Sequence, residues 1–546
     1  MRLKIKEGPG LQKKGGTPMK KLVSLFLALL LAVGAVSALA EVDLSQYVAD
    51  PAEKFTIAWL AGHDTDPIEK DNPVLQWLEE KFNVELDVWF LERENYDELL
   101  TTRIIGGEIP DAFMLQNATQ FSKYVKQGVV MELPLEIVKQ CMPESYAWLI
   151  QYDPHCFSAV SYDGRNYGLP RVNGDGRFNY APFWRADWLA KFGYTDGKVP
   201  MTLEECEEVF YHFANDDPDG NGVKDTYALS NTGMNPIFGA FGALPDRWVE
   251  DGEGNLIYGA VYPGMKDALT LLAKWYKDGL IDPEFITGEN QGGYWALSVP
   301  FENGQIGFSS SGAYYHLAPD FDGPKDEETG KGGAFKYGRT MRTFAETTGY
   351  DKMVIGYNPT GPDGKQGGES WGLTTSEAIV FSYKLADQPA KLARILEIMN
   401  VIGSDLETYL KVRLWDTDLS NYEYDSLLGY VKKEGYEKPE TFGAHGNMFN
   451  TLQNPYFAEK LSPATIEWAL TLPQFSTGGY SNTMLPITTA SMPQYWTSMD
   501  TLRQTTYIQI ITGEKPVDAF DEFVQQWNAM GGEKITAEAN EWYHAK

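Results

Sequence analysis

The sequence predicts an α/β protein of two or more lobes, and three observations carry that expectation. Apolar runs of strand and helix period alternate through the first part of the chain, with short loops between them. A second half richer in helices follows. The chain left after an N-terminal leader, about 500 residues, exceeds what one hydrophobic core serves.

Residues 55–60 (FTIAWL) read as a buried strand, and 73–82 (PVLQWLEEKF) as an amphipathic helix with apolar positions 74, 75, 78 and 82. Residues 84–90 alternate as a second strand, and 96–105 form a second helix ended by Gly106-Gly107. Pro110 opens a third strand at 112–115. Repeated β-α-β units argue for an open, mostly parallel sheet, whose ligands sit beyond the carboxyl ends of the strands. Those ends are the loops at 61–66 and 116–120. Further on, 263–279 is a helix with Met265, Leu269, Leu272 and Tyr276 on one face and Gly279 just past its end. Residues 389–402, 500–511 and 516–530 are helices too, and the Gly/Pro-rich stretches at 322–333 and 359–368 are loops or crossovers.

Met19-Lys20-Lys21, the uncharged apolar run 22–36 and Ser37-Ala38-Leu39-Ala40 have the layout of a cleavable signal peptide, with the mature start at Glu41. Residues 1–18 read as lying upstream of the true start at Met19. The expected protein is therefore exported, periplasmic or extracellular, with no insertion in the membrane after cleavage. No cysteine follows the apolar run, so no lipid anchor is expected; Cys141, Cys156 and Cys206 lie well inside the chain. A Cys141–Cys156 disulfide and three separate thiols are both open. Without residues 1–40 the chain has 39 basic and 75 acidic residues, a formal charge of −36. Such a field repels phosphate backbones and excludes nucleic-acid binding as a function class. At 43% hydrophobic and 13% aromatic residues, the chain is not a disordered acidic tail.

Several phrases occur in one order along the chain: Gly106-Gly107-Glu108-Ile109-Pro110-Asp111; Tyr167-Gly168-Leu169-Pro170 with Phe183-Trp184-Arg185-Ala186-Asp187-Trp188-Leu189; and residues 274–285 (KWYKDGLIDPEF). Ile511-Thr512-Gly513, Phe520-Asp521, Trp527, Gly531-Gly532 and Asn540-Glu541-Trp542-Tyr543 close the series. Together they resemble the extracellular solute-binding proteins of carbohydrate ABC importers, most closely the LplA-like and alginate-binding subgroup. The resemblance implies a two-lobe, periplasmic-binding-protein-like α/β fold with a multi-crossing hinge and a ligand cleft between the lobes. It places 41–175 and about 362–415 in the N-terminal lobe, and about 176–361 and 416–546 in the C-terminal lobe. It also implies capture of an oligosaccharide by lobe closure and delivery to ABC permease subunits, by a monomer. A peptide receptor of the same importer class, and more remotely a secreted polysaccharide-active enzyme, are the alternatives.

Asp217-Pro218-Asp219-Gly220-Asn221-Gly222-Val223-Lys224-Asp225 reads D-x-D-x-N-G-x-x-D, the front of an EF-hand-like calcium loop. Asp217, Asp219 and Asn221 would supply side-chain oxygens and Val223 its carbonyl, with Asp225 binding directly or through water. The twelfth position is Ala228, so the usual bidentate Glu is absent. Similar loops in the alginate-binding proteins support a structural calcium. Sugars offer apolar faces to aromatic rings and hydroxyls to polar side chains. His63, Asp64, Asn117, Arg177, Trp184, Arg185, Tyr314, Tyr315 and Trp371 sit in loops at predicted strand ends or crossovers and are the ligand candidates. Asp187-Trp188 reads instead as a structural cap and anchor. The six histidines are scattered, and no H-E-x-x-H, G-x-S-x-G, P-loop or Rossmann fingerprint occurs, so no catalytic residue is assigned.

Overall fold

The computed structural model describes residues 42–60, 67–92, 95–172, 181–286, 299–310, 320–323, 333–335, 352–368, 373–443, 445, 453–475 and 489–544. Eight strands bear on the site: β1 (Phe55–Leu60), β2 (Val84–Val88), β3 (Ala112–Leu115), β4 (Gly168–Val172), β5 (Phe183–Arg185), β6 (Phe308–Ser309), β7 (Met353–Ile355) and β8 (Thr374–Phe381). The first sheet has the order β2-β1-β3-β8-β4. Strands β2 and β3 pair parallel with β1, whereas β8 pairs antiparallel with β3 and β4. Four strands therefore point one way and β8 opposes them, because it re-enters the sheet from the far lobe. The second sheet, β6-β5-β7, is wholly antiparallel, so the expected parallel order stops at the first lobe.

Local chemistry places these elements. Asn72 caps the helix Pro73–Phe82 by accepting from Val74 N at 3.0 Å and Leu75 N at 3.3 Å. Asp111, in the Gly-rich phrase before β3, accepts from Ala58 N at 2.8 Å and pairs with Lys391 of the helix Pro389–Ser404 at 2.7 Å. That phrase thus ties two strands and a covering helix together. The helix Gly264–Lys277 ends in a left-handed Gly279 (φ 76°), as its sequence foretold. The helix at 500–511 in fact begins at Met492. Beyond Trp527 the chain bends at Gly531 (φ 132°) and continues as an unforeseen helix, Glu533–His544.

The larger core of the second lobe is aromatic. Trp184, Trp188, Phe210, Phe213, Trp275 and Phe308 are all fully buried in it. A smaller cluster joins Phe183, Phe301, Ile306, Met353 and Leu472 behind the antiparallel sheet. Described residues on both sides of position 450 lie against the first lobe. Asn72 Nδ2 donates to Phe442 O at 3.1 Å, Asn454 Nδ2 to Gly403 O at 2.9 Å, and Phe457 lies 5.3 Å from Tyr409. The chain joins the second lobe's core only around Leu472. The three cysteines are free thiols, and Cys156 and Cys206 are buried.

Beside the smaller cluster, Glu302 ends the short helix Val299–Glu302 with its Oε1 buried and unpaired. Desolvation pushes its carboxyl up to about 7 from the usual 4.5. The folded protein thus holds a proton that the unfolded chain releases, a preference fully present below pH 4.5 and lost as pH rises through 7. The melting temperature should fall across that window, and Glu302→Gln should flatten the slope. An unchanged slope in the variant would show that other groups set it.

Candidate ligand site

The carboxyl edge of the first sheet lies at Leu115 on β3 and Val172 on β4. Strand β8 runs the other way, so its N-terminal half overhangs that edge: Ala378 faces Leu115, and Thr374 faces Val172. From Ala378 to Phe381 the strand is buried, but Thr375, Ser376 and Glu377 are partly open. The register slips between Thr374 and Ala378, a bulge of the kind that re-aims side chains. Thr374 pins it with a buried 2.6 Å hydrogen bond to Asp153 Oδ2. Glu377 forms an ion pair with Arg171 of β4, and Glu377 N donates to Thr375 Oγ1 at 3.3 Å. Close by, Tyr96 donates its hydroxyl to Met114 O at 2.9 Å.

Asn117 stands at this edge, where the sequence put it. Its side-chain oxygen accepts from Gln120 N at 2.9 Å, capping the helix Ala118–Lys126. His63, Asp64, Arg177, Tyr314, Tyr315 and Trp371 lie outside the described residues. Trp184 and Arg185 require correction. They sit on the central strand of the second sheet, not in a cleft loop. Trp184 is fully buried, 4.4 Å from the Phe308 ring centroid and 5.6 Å from that of Phe210, so core rings cover its faces. Arg185 is buried and clamped by Asp187 through two bonds of 2.8 and 2.6 Å, with its guanidinium over Trp188 at 4.6 Å. Trp188 is the buried anchor expected of it, whereas Asp187 clamps Arg185 and does not cap the helix Ala186–Lys191, which has no side-chain cap hydrogen bond.

Sequence reasoning missed Arg171, Glu377 and Asn358. The first two have a faint signal, a polar Thr375-Ser376-Glu377 run heading an apolar strand. Asn358 follows β7, is fully buried, and neither end of its amide has a partner. Buried Ser309 Oγ and Thr232 Oγ1 are orphaned in the same way on the second lobe. Such atoms call for a water or a ligand.

The acidic loop is compact. Asp217 accepts from Gly220 N, Asn221 N and Gly222 N, each at 3.0 Å, and the positive φ of Gly222 (79°) allows the turn. Lys191 donates to Pro218 O. Asp219 Oδ2 lies 2.8 Å from Asn221 Nδ2, and both Asp225 oxygens lie 3.2 Å from it. Desolvation, and next its link to Asp217, hold the Asp219 carboxyl above the usual range. Among the described residues no three His, Cys, Asp or Glu side chains are gathered as a metal group. The donor set nevertheless suits a hard cation, being all oxygen and clustered within nine residues. An amide N–H lies where the two carboxylates converge, the position a cation would take.

No family model matches the chain. Lipoprotein LipO of Bacillus subtilis (strain 168) is 23% identical over 503 residues, 87% of this chain and 89% of the relative. That relative is named a lipoprotein, which overturns the expectation, read from the missing cysteine, of an unanchored protein. Among the described residues no helix is long and apolar enough to cross a membrane. The fructooligosaccharide ABC transporter substrate-binding protein FusA of Streptococcus pneumoniae serotype 4 is 25% identical over 56% of this chain and 58% of its own length. The polygalacturonan/rhamnogalacturonan-binding protein YtcQ of Bacillus subtilis is 26% identical over 49% of this chain, and the match spans about half of that protein, 53%. Among solved structures, alginate-binding protein AlgQ2 without calcium superposes with a TM-score of 0.62 at 17% identity, covering 90% of this chain and 98% of that one. A FusA EF-hand mutant with fructo-nystose gives 0.60 at 18% identity over the same shares. The phrases read in the sequence and the shared fold agree: this chain is similar to the substrate-binding proteins of carbohydrate ABC transporters and has their two-lobe, periplasmic-binding-protein-like fold.

Proposed function

We propose that this chain is the extracytoplasmic substrate-binding subunit of an ABC importer, capturing an oligosaccharide by lobe closure and handing it to membrane permease subunits. The observation that carries this reading is the pairing of two α/β lobes, crossed from β4 to β5 and from β7 to β8. The polar groups assigned to the ligand are Asn117, Arg171 and Glu377 at the first sheet's carboxyl edge and the buried Asn358, whose unmet amide costs about 1–3 kcal/mol for each unmet group. A sugar hydroxyl both donates and accepts, so it can meet either end of that amide. A ligand that touches both lobes binds the closed form better and shifts the hinge toward it. FusA and YtcQ, both named for carbohydrates, favour a sugar over a peptide.

The sugar should leave unchanged, since the sequence carries none of the catalytic motifs sought in it. A structural calcium is assigned to Asp217, Asp219, Asn221, the Val223 carbonyl and Asp225, in keeping with the FusA neighbour described as an EF-hand mutant. A thermal-shift screen of oligosaccharides, with peptides as controls, tests the reading. Stabilisation should grow with concentration of a binding sugar, and scattering should show a smaller radius of gyration at saturation. Accumulating product sugars with an unchanged radius would replace the receptor with an enzyme.

A further inference from the structure

Resting on the receptor reading above, we propose that the Arg171–Glu377 pair selects uncharged sugars over uronates. The two residues lie on β4 and β8, adjacent strands of one lobe, so the pair spans no gap between lobes and is not a closure latch. It stands at the sheet's carboxyl edge, and the two side chains are 22% and 20% exposed, enough to be touched by a ligand. Counting from the Ala378–Pro170 pair, Glu377 stands directly opposite Arg171, the last regular rung before the register slips toward Thr374, which Asp153 holds.

The chemistry of the pair is that of a vicinal diol. The guanidinium donates to hydroxyl oxygens, the carboxylate accepts hydroxyl hydrogens, and together they carry no net charge. A uronate brought to this edge would meet an arginine already neutralised and a carboxylate of its own sign. Burying that second anion without an uncommitted cation is unfavourable. The other arginines buried in the described interior of the second lobe are committed likewise, Arg185 to Asp187 and Arg503 to Asp246 and Asp500. The formal charge of −30 repels polyanions at longer range as well.

The test is titration calorimetry of the full chain with two panels. The neutral one holds kestose, maltotetraose, xylotetraose and galactotetraose; the acidic one holds trigalacturonate and trimannuronate. The wild type should bind a neutral member and reject both acids. Glu377→Gln keeps the shape of the side chain but frees the Arg171 charge. It should weaken the neutral ligand about tenfold and strengthen trigalacturonate by a similar factor. Arg171→Lys, which keeps the charge and loses the planar fork, should weaken the neutral ligand without that gain. Melting curves check that both variants fold. Tighter binding of a uronate by the wild type overturns the proposal. So does a neutral ligand that both variants bind as the wild type does, which leaves the receptor reading intact. Binding of neither panel would remove that reading, and this inference with it.

Discussion

Replacing Trp184 with alanine is expected to lower the stability of the second lobe by about 3–5 kcal/mol, the size found for a large aromatic removed from a packed core. The side chain is fully buried, and its ring contacts Phe210, Phe213 and Phe308, which themselves pack on Trp188 and Trp275. Removing it leaves a cavity among rigid rings that cannot collapse to fill it. The melting temperature should fall on the order of 10 °C. Sugar affinity of the protein that remains folded should stay within about twofold of the wild type, since the ring faces are already covered. The reverse pattern, a normal melting curve with affinity lost, would return Trp184 to the cleft.

That reversal marks where sequence reading stopped. Burial follows from period and composition, so β1, β3 and the helix Pro73–Phe82 were legible to the residue, and the helix Gly264–Lys277 to within two. Whether Trp184 faced core or cleft depended on which strands flank β5. Those strands, β6 and β7, come from 120 or more residues farther along the chain, and no local pattern announces them. The Arg171–Glu377 pair was hidden for the same reason, because the register that sets the two opposite each other joins residues 206 apart in the chain. The acidic loop was legible because its chemistry is contained in consecutive residues. The contacts of Phe442 and Asn454 with the first lobe were not, since they rest on backbone carbonyls that any sequence supplies.

Chelation of divalent cations is expected to lower the melting temperature by roughly 5 °C or more, and calcium should restore it. Asp219 and Asp225 bring their carboxylates together on the single amide nitrogen of Asn221, and Asp217 is fixed by three backbone N–H groups. Without a cation, two like charges share one weak donor. A cation at that point would satisfy both, and an ion at about a hundred times its dissociation constant stabilises the native state by about 2.7 kcal/mol. The effect should pass to the second lobe, because the loop directly follows the helix Leu203–Asn215, whose Phe210 and Phe213 face Trp184. Thr226, one residue past the loop, donates to Phe213 O at 2.8 Å and closes that connection. Asp219→Ala should remove the response to chelator while leaving a folded protein, and Asp225→Asn should weaken it. Magnesium should substitute poorly, since it demands a near-octahedral site of short bonds that a loop lacking an acid at Ala228 does not offer. Melting curves that coincide with and without chelator, together with elemental analysis showing no bound metal, would reduce the loop to an Asx-rich turn stabilised by its own backbone.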